Sequence, residues 1–382
     1  MVKKILAGLA ISFISLIICF IVLEVVVRAF FSQELIYLKT SEIWEPDNVL
    51  GWKHKMLTST PVNLGDRKVQ FKTDVNGFRI GQELIDSPDY KIFAIGDSFI
   101  EGLQVEYEET ATAIIESSLS DRLNKKIKVF NAAVAGWDVN QYLIEAKKEL
   151  PQNDYNFLLV FLYVGNDFTS EARDSFSPRS MIETHDFRIP RSLSRQEIID
   201  SVIYPVNDRL ETHSSAFLFL KKRFKVVLMR LGLTANQFPE VFLKSEADSP
   251  VYKTTADICL DIEEEASKYG IETVFVLIPT SLEVQEESSA EYIKGFNMNP
   301  FDVDINQANR LARKNFEEAG LFLIDPSEKM KQDYASDKER LYDLINDHFT
   351  EKGHRSLAEY VTPYLEEKIT TEENGDNQEN NQ

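Results

Sequence analysis

From Lys91 onward one unit recurs along the chain: a short apolar run, a polar turn, then apolar residues at helical spacing. The apolar runs fall at Lys91–Ile95, Lys128–Asn131, Phe157–Tyr163, Thr273–Ile278 and Leu321–Ile324. Amphipathic stretches separate and follow them at Thr110–Leu123, Val139–Leu150, Thr255–Lys268, Ile305–Ala319 and Glu351–Glu367. Strands that alternate with helices pair in parallel, and the helices then cover both faces of the sheet. The run Phe157-Leu158-Leu159-Val160-Phe161 meets that demand, since every position is apolar rather than every second one. The pattern predicts an α/β domain with a five-stranded parallel sheet between two helical layers.

What precedes the repeat is different in kind. Ile5 to Leu23 is nineteen residues without a charge. At about 1.5 Å of rise per residue such a helix crosses a hydrocarbon core of roughly 30 Å. Lys3 and Lys4 stand before it, so the positive-inside rule keeps residues 1–31 as a cytoplasmic N-terminus plus anchor and sends the rest outside. A cleaved signal peptide is the alternative; the run is long for one, and no A-x-A site follows. Cys19 does not mark a lipoprotein, because Ile18 occupies the place of a small residue. Residues 32–90 read as a β-rich extension, with the turn Asp74-Val75-Asn76-Gly77 as hairpin punctuation. Residues 91–368 hold the repeat.

Between Thr169 and Val251 the alternation stops, leaving an insertion of about eighty residues, well beyond ordinary loops. Within it Ala216–Leu233 is apolar and basic at helical spacing. It reads either as a helix on an anionic bilayer or at a substrate entrance, or as a helix capping the main domain with solvated lysines. Residues 369–382 form an acidic tail; from Thr371 it has four acids and no base, a composition that predicts disorder. The net charge of −20 excludes a nucleic-acid binder, which needs a basic surface to neutralise phosphates. Cys19 and Cys259 are the only cysteines and cannot meet across the anchor.

The first strand carries the chemistry. Lys91–Leu103 runs from an apolar strand straight into Gly96-Asp97-Ser98 and a helical stretch, which presents a serine at the carboxyl end of a buried strand. A hydroxyl becomes a nucleophile only beside a base, and the oxyanion it generates needs N–H donors already in place. Gly96-Asp97-Ser98-Phe99 ends the first strand, and Gly136 in Asn131-Ala-Ala-Val-Ala-Gly136-Trp137 follows the second. Gly165-Asn166-Asp167 follows the third, and His348 lies near the C-terminus. In that order they resemble the four sequence blocks of the SGNH hydrolases, also called the GDSL family. The resemblance covers roughly Lys91 to Leu365 and is weakest across the insertion.

The resemblance implies a flavodoxin-like fold and an ester hydrolase, with Ser98 as nucleophile and His348 as general base. It implies the main-chain N–H groups of Ser98 and Gly136 and the amide of Asn166 as oxyanion donors. Glycine at 136 lets main chain approach a reacting carbonyl, and an asparagine amide donates without adding charge. Asn166 also suits a plain Gly-Asn-Asp turn. Asp97 reads as structural, bonding the turn that holds Ser98. The family has an acid two or three residues before its histidine, but this chain has Ile345 and Asn346 there. Asp347 is the first candidate to orient His348; Asn346, Asp343 or a main-chain carbonyl are alternatives.

The remaining histidines are weaker. His354 reads as a cap or packing contact, while His54, His185 and His213 stand alone. No His, Cys or carboxylate cluster suggests a metal, and no P-loop or G-x-G-x-x-G suggests a nucleotide, so no cofactor is expected. Val276–Gln285 reads either as a pocket wall or as a simple connection. The expected activity is a membrane-anchored, extracytoplasmic serine esterase acting on acyl or O-acetyl esters of carbohydrate or lipid through an acyl-enzyme on Ser98. An O-acyltransferase acting on envelope polysaccharide, or an inactive envelope-assembly or glycan-binding protein of the same fold, are the alternatives.

Overall fold

A computed structural model of the chain describes residues 2–30, 40–64, 67–81, 85–169, 209–210, 213–230, 238–285, 289–343 and 347–379. Helix α1 (Val2–Phe30) includes an apolar segment, Ile11–Phe30, long enough to cross a membrane, and most of its side chains are exposed. The short helix α2 (Thr40–Ile43) leads into two hairpins, β1 (Trp44–Asp47) with β2 (Gly51–His54) and β3 (Ser59–Asn63) with β4 (Lys68–Lys72). The expected turn at 74–77 is present. Asp74 Oδ1 accepts from the N–H groups of Asn76 and Phe78 and closes it.

The main domain then follows in order. Strand β5 (Tyr90–Ile95) leads to α3 (Ser98–Glu101) and α4 (Ala111–Leu123), and β6 (Ile127–Asn131) leads to α5 (Val139–Glu149). After β7 (Phe157–Tyr163) come α6 (Ser215–Arg230) and α7 (Val251–Ser267). Strand β8 (Glu272–Ile278) is followed by α8 (Ser281–Val284), α9 (Ser289–Gly295) and α10 (Gln307–Ala319). Strand β9 (Leu323–Ile324), α11 (Ser327–Asp337) and α12 (Glu351–Glu379) complete the chain.

The five strands β5 to β9 lie in the order β6-β5-β7-β8-β9, all parallel, which is the 2-1-3-4-5 order of flavodoxin-like sheets. Successive strand residues point to opposite faces, and both faces are covered. Phe93, Ile95, Leu158, Val160, Leu162, Phe275 and Leu277 pack with Tyr142 and Ala146 of α5, Cys259 and Ile262 of α7, and Phe316 of α10. Ile92, Ala94, Phe157, Leu159, Phe161, Val274 and Val276 pack with Ile115 and Leu119 of α4, Met330 of α11, and Leu357 and Val361 of α12. This two-sided burial is the physical reason the strand sequences lack alternation.

Four differences from expectation have local causes. Strand β9 spans only Leu323–Ile324, because Leu321 N–H instead bonds back to the Phe316 carbonyl at the end of α10. Helix α11 went unread because its face is polar, with Ser327 and Met330 its only buried residues. Helix α12 continues to Glu379, so the backbone from 371 to 379 is helical where composition predicted disorder; extending a formed helix costs far less than starting one. The insertion lies largely outside the described residues, at 170–208, 211–212 and 231–237, and His185 with it. Its described part includes α6, within the expected Ala216–Leu233.

The extension does more than lie against the domain. Arg79 pairs antiparallel with Asn131, its N–H donating to the Asn131 carbonyl at 2.8 Å, so the extension covers the open edge of β6. Trp52 Nε1 donates to the Ala135 carbonyl, and Trp137 Nε1 donates back to the Trp52 carbonyl, locking β2 onto the loop after β6.

Candidate active site

In a 2-1-3-4-5 sheet the order reverses between the first and third strands, here β5 and β7, and the carboxyl ends of these strands open the crevice where such sheets bind ligands. Ser98 follows β5 and Asn166 follows β7. The topology therefore brings the two turns together: Asn166 Nδ2 donates to Asp97 Oδ2, sixty-nine residues away in sequence, at 2.8 Å.

Ser98 is the first residue of α3. Asp97 caps that helix in an extended conformation, its Oδ1 accepting from Phe99 N–H at 2.9 Å, and Gly102 ends the helix at φ +67°. Gly96 has no room for a side chain, because a Cβ would meet Ile100 and Phe161 at 3.2 Å. The turn is thus fixed by its cap and by close packing beneath it.

His348 reaches Ser98 from the far end of the sequence, with Nε2 at 2.8 Å from Ser98 Oγ. It is carried by a hairpin in which Tyr342 pairs with Phe349, Asp343 N–H donates to the His348 carbonyl, and Thr350 N–H donates to the Leu341 carbonyl. Gln285 Oε1 accepts from the N–H groups of Leu341 and Tyr342, and Tyr342 Oη donates to the Pro279 carbonyl. Behind the hairpin Gly353 approaches so closely that a Cβ would collide with the Leu341 carbonyl. The imidazole stacks on Phe99, centroids 4.9 Å apart and planes 20° apart, while Tyr163 packs against Phe99 at 4.1 Å. Val276–Gln285, read from sequence either as a pocket wall or as a simple connection, carries the bonds that hold the histidine hairpin.

Asn166 sits in a turn closed by bonds from its own N–H and that of Asp167 to the Tyr163 carbonyl. Asp167 is fully buried, with Oδ2 accepting from Tyr163 N–H at 2.8 Å and lying 3.4 Å from Tyr142 Oη. The turn role and the side-chain role of Asn166 therefore coexist. Its Oδ1 is buried with no hydrogen-bond partner among the described residues, so the amide is oriented by the Nδ2–Asp97 bond. Gly136 stands exposed at φ +76°, a conformation that suits glycine, in a loop tied to the Ser98 turn by a bond from Val134 N–H to the Gly96 carbonyl.

Burial raises Asp97 to about 7, opposed by the bonds from Phe99 and Asn166. Burial also pushes Asp167 well above the usual carboxylate range, and the charges of Asp97 and Asp138 add to it. The pocket floor therefore carries two carboxyls that burial raises above the ordinary carboxylate range.

The groups weighed for orienting His348 are placed differently. Asp347 is exposed, in the left-handed region at φ +61°, which aspartate tolerates better than most residues. After burial, its charge is the next cause raising the Tyr163 phenol, and it also acts on Tyr292 and Tyr342. It thus lies within electrostatic range of the rings around His348. Asp343 is half-buried and engages His348 through its main-chain N–H. Asn346 lies outside the described residues. A cleft of about 460 Å³ lined by Arg67, Gln104, Arg340, Asp343 and Phe349 lies beside the hairpin and does not include Ser98.

Two residues that sequence left without a role join this framework. His54 is buried against Glu101, the last residue of α3, at 2.6 Å. Arg79 is buried with its guanidinium donating to the carbonyls of Glu101, Gly102 and Val105. His354 is the packing residue expected: fully buried, its Nδ1 accepts from Ala111 N–H at the start of α4, and burial holds it near 3.

No protein-family model and no curated protein matches the sequence. Solved structures that align with the chain include a psychrotrophic esterase from Pseudoalteromonas sp., at 9% identity and TM-score 0.38, covering 74% of this chain and 100% of that one. A putative lipolytic protein of the G-D-S-L family from Desulfitobacterium hafniense aligns at 11% identity and TM-score 0.37, covering 72% and 99%. An acetyl xylan esterase aligns at 12% identity and TM-score 0.38, covering 72% and 99%. At this level of similarity the case for a function rests on the site's own geometry.

Proposed function

We propose that the chain is a serine ester hydrolase of SGNH type, with Ser98 as nucleophile and His348 as general base. The observation that carries this reading is the 2.8 Å contact between His348 Nε2 and Ser98 Oγ at the switch point of the sheet. In this reading His348 takes the Ser98 proton as Oγ attacks the ester carbonyl. The negative charge on the former carbonyl oxygen is received by the N–H groups of Ser98 and Gly136 and by the second amide proton of Asn166, the first being held by Asp97. The tetrahedral intermediate collapses as His348 hands its proton to the leaving alkoxide. Water, deprotonated by His348, then attacks the acyl group, and as the acid leaves His348 returns that proton to Ser98 Oγ. Asp347, adjacent to His348, is the group assigned to steady it, its charge reaching Tyr163 and Tyr342, which pack on the Phe99 ring beneath the imidazole.

The substrate class in this reading is an acyl or O-acetyl ester of carbohydrate or lipid outside the cytoplasm. The nineteen uncharged residues after Lys3 and Lys4 support that placement, with the catalytic domain beyond the span. The test is hydrolysis of short-chain aryl esters by the purified full chain in detergent. Ser98→Ala and His348→Ala are each expected to lower kcat by about 10³-fold or more. Unchanged turnover in folded Ser98→Ala would reject the proposal.

A further inference from the structure

Helix α6 is bolted to the point where α1 leaves its uncharged run. That run ends at Leu23, and Glu24 is the first charge after it. Nineteen residues at about 1.5 Å each extend roughly 28 Å, close to the thickness of a hydrocarbon core; with the uncharged run in the hydrocarbon, Glu24 stands at its polar boundary and the rest of the Ile11–Phe30 segment in the headgroup layer. Its carboxylate accepts from Ser214 Oγ at 2.7 Å, Ser215 N–H at 3.0 Å and Ala216 N–H at 2.9 Å, which satisfies the first free N–H groups of α6. Arg28, paired with Glu24, donates to the His213 carbonyl at 2.9 Å. The start of α6 is therefore held at the level of the membrane surface.

From that start α6 shows two faces. Leu218 is buried toward the body of the protein, and the helix packs on α9. Ala216, Leu220, Phe224 and Val227 follow one another at intervals of four, four and three, one stripe of the helix. Ala216 is buried at the junction with α1, but Leu220 is 46% exposed, Phe224 62% and Val227 47%. The sequence of the same helix carries Lys221, Lys222, Arg223, Lys225 and Arg230, with no acid between Ser215 and Arg230. In a chain of net charge −20 this is a local reversal of sign. Bare apolar side chains interleaved with cations, beginning at the depth of the headgroups, match what an anionic lipid surface binds.

We propose that α6 lies in the interface of an anionic bilayer, with Leu220, Phe224 and Val227 entering the acyl region and its lysines and arginines on the headgroups. The occupant of the bare stripe is lipid rather than a second chain or another segment of this one. The proposal is independent of whether Ser98 is catalytic.

The test uses the full chain in vesicles of zwitterionic lipid with and without phosphatidylglycerol. A nitroxide is attached at Phe224→Cys, or at Val227→Cys should the first variant fold poorly, in a Cys19→Ala background; Cys259 is fully buried and stays. Lys253→Cys, on the exposed face of α7, is the aqueous reference. With phosphatidylglycerol present, the label on the stripe is expected to collide with oxygen several-fold more, and with a water-soluble nickel chelate several-fold less, than the reference. Reversing Lys221, Lys222 and Arg223 to Glu is expected to return it toward the reference values. Free collision with the nickel chelate means the stripe faces water and overturns the proposal. Shielding from both reagents means protein covers it and overturns it equally.

Discussion

His54 Nε2 lies 2.6 Å from Glu101 Oε1, and both side chains are buried, one from the β-rich extension and one from the helix that begins with Ser98. The same Glu101 oxygen accepts from Trp44 Nε1 at 2.9 Å, and His54 Nδ1 faces the Gly77 carbonyl at 3.0 Å. Both ring nitrogens of His54 are thus engaged, one by the extension's own turn and one by α3. Two residues after Gly77, Arg79 gathers the carbonyls of Glu101, Gly102 and Val105. The extension grips the end of α3 opposite Ser98 with one buried hydrogen-bonded pair and one buried cation.

This grip predicts non-additive mutations. His54→Ala leaves the Glu101 carboxylate buried with one donor fewer and is expected to cost about 3–5 kcal/mol of stability. Glu101→Leu strands the imidazole and is expected to cost a comparable amount. The double variant removes both polar groups and is expected to lose less than the sum of the singles. Urea unfolding midpoints of the four proteins check this, and strict additivity would show that the pair does not act as a unit.

The bond from Asn166 Nδ2 to Asp97 Oδ2 predicts a separation of activity from stability. In Asp97→Asn the new amide presents a donor to Asn166, whose buried Oδ1 has no other partner among the described residues. The Asn166 amide is then expected to turn over, withdrawing its N–H from the oxyanion. Removing one such donor costs about 10²–10³ in kcat. Stability should move the other way. The Asp97 pKa is raised to about 7 by burial, so the wild-type protein loses stability as pH rises from the ordinary carboxylate range through 7. At pH 8 Asp97→Asn escapes that loss and is expected to melt no lower than wild type. A variant that keeps full kcat would remove Asp97 from the oxyanion machinery.

The acid beside His348 is decided by comparing two carboxylates. Asp347→Asn is expected to lower kcat by about 10²–10⁴ without unfolding the protein, since asparagine also tolerates the left-handed backbone at 347. Asp343→Asn is expected to change kcat by less than about threefold, because its contact with His348 runs through main chain that the substitution keeps. Steady-state kinetics on both, with melting temperatures alongside, read the outcome; the reverse ranking would move the role to Asp343.

The layers of the fold were legible because burial on both faces writes itself into uninterrupted apolar strands such as Phe157–Tyr163, which matches the observed β7 end to end. Ser98, Asn166 and His348 were legible through their order along the chain, which resembles the SGNH sequence blocks, rather than through local pattern alone. What stayed hidden depends on contacts rather than periodicity. His54 was read as isolated, and its partner lies forty-seven residues away on an unrelated element. Gln285 gave no signal at all, since a glutamine in a connection is ordinary until two main-chain N–H groups of the histidine hairpin point at it. Helix α11 hid behind a polar surface, and the helical tail behind its composition.

Asp167 supplies the pH dependence of the fold itself. Burial, then the charges of Asp97 and Asp138, hold its pKa well above the unfolded value. A carboxyl raised in the folded state keeps its proton there while the unfolded chain gives one up. Stability is therefore fully present below the unfolded pKa and is lost progressively as pH rises above it toward the folded value. Asp167→Asn keeps an oxygen for the Tyr163 N–H and removes the titration. Melting temperature followed from pH 4.5 to 8 is expected to fall less steeply in the variant than in wild type, with Asp97 supplying the slope that remains. Parallel slopes in the two proteins would mean that Asp167 ionises as readily folded as unfolded, and that the carboxyl beneath Asn166 is charged rather than neutral when substrate binds.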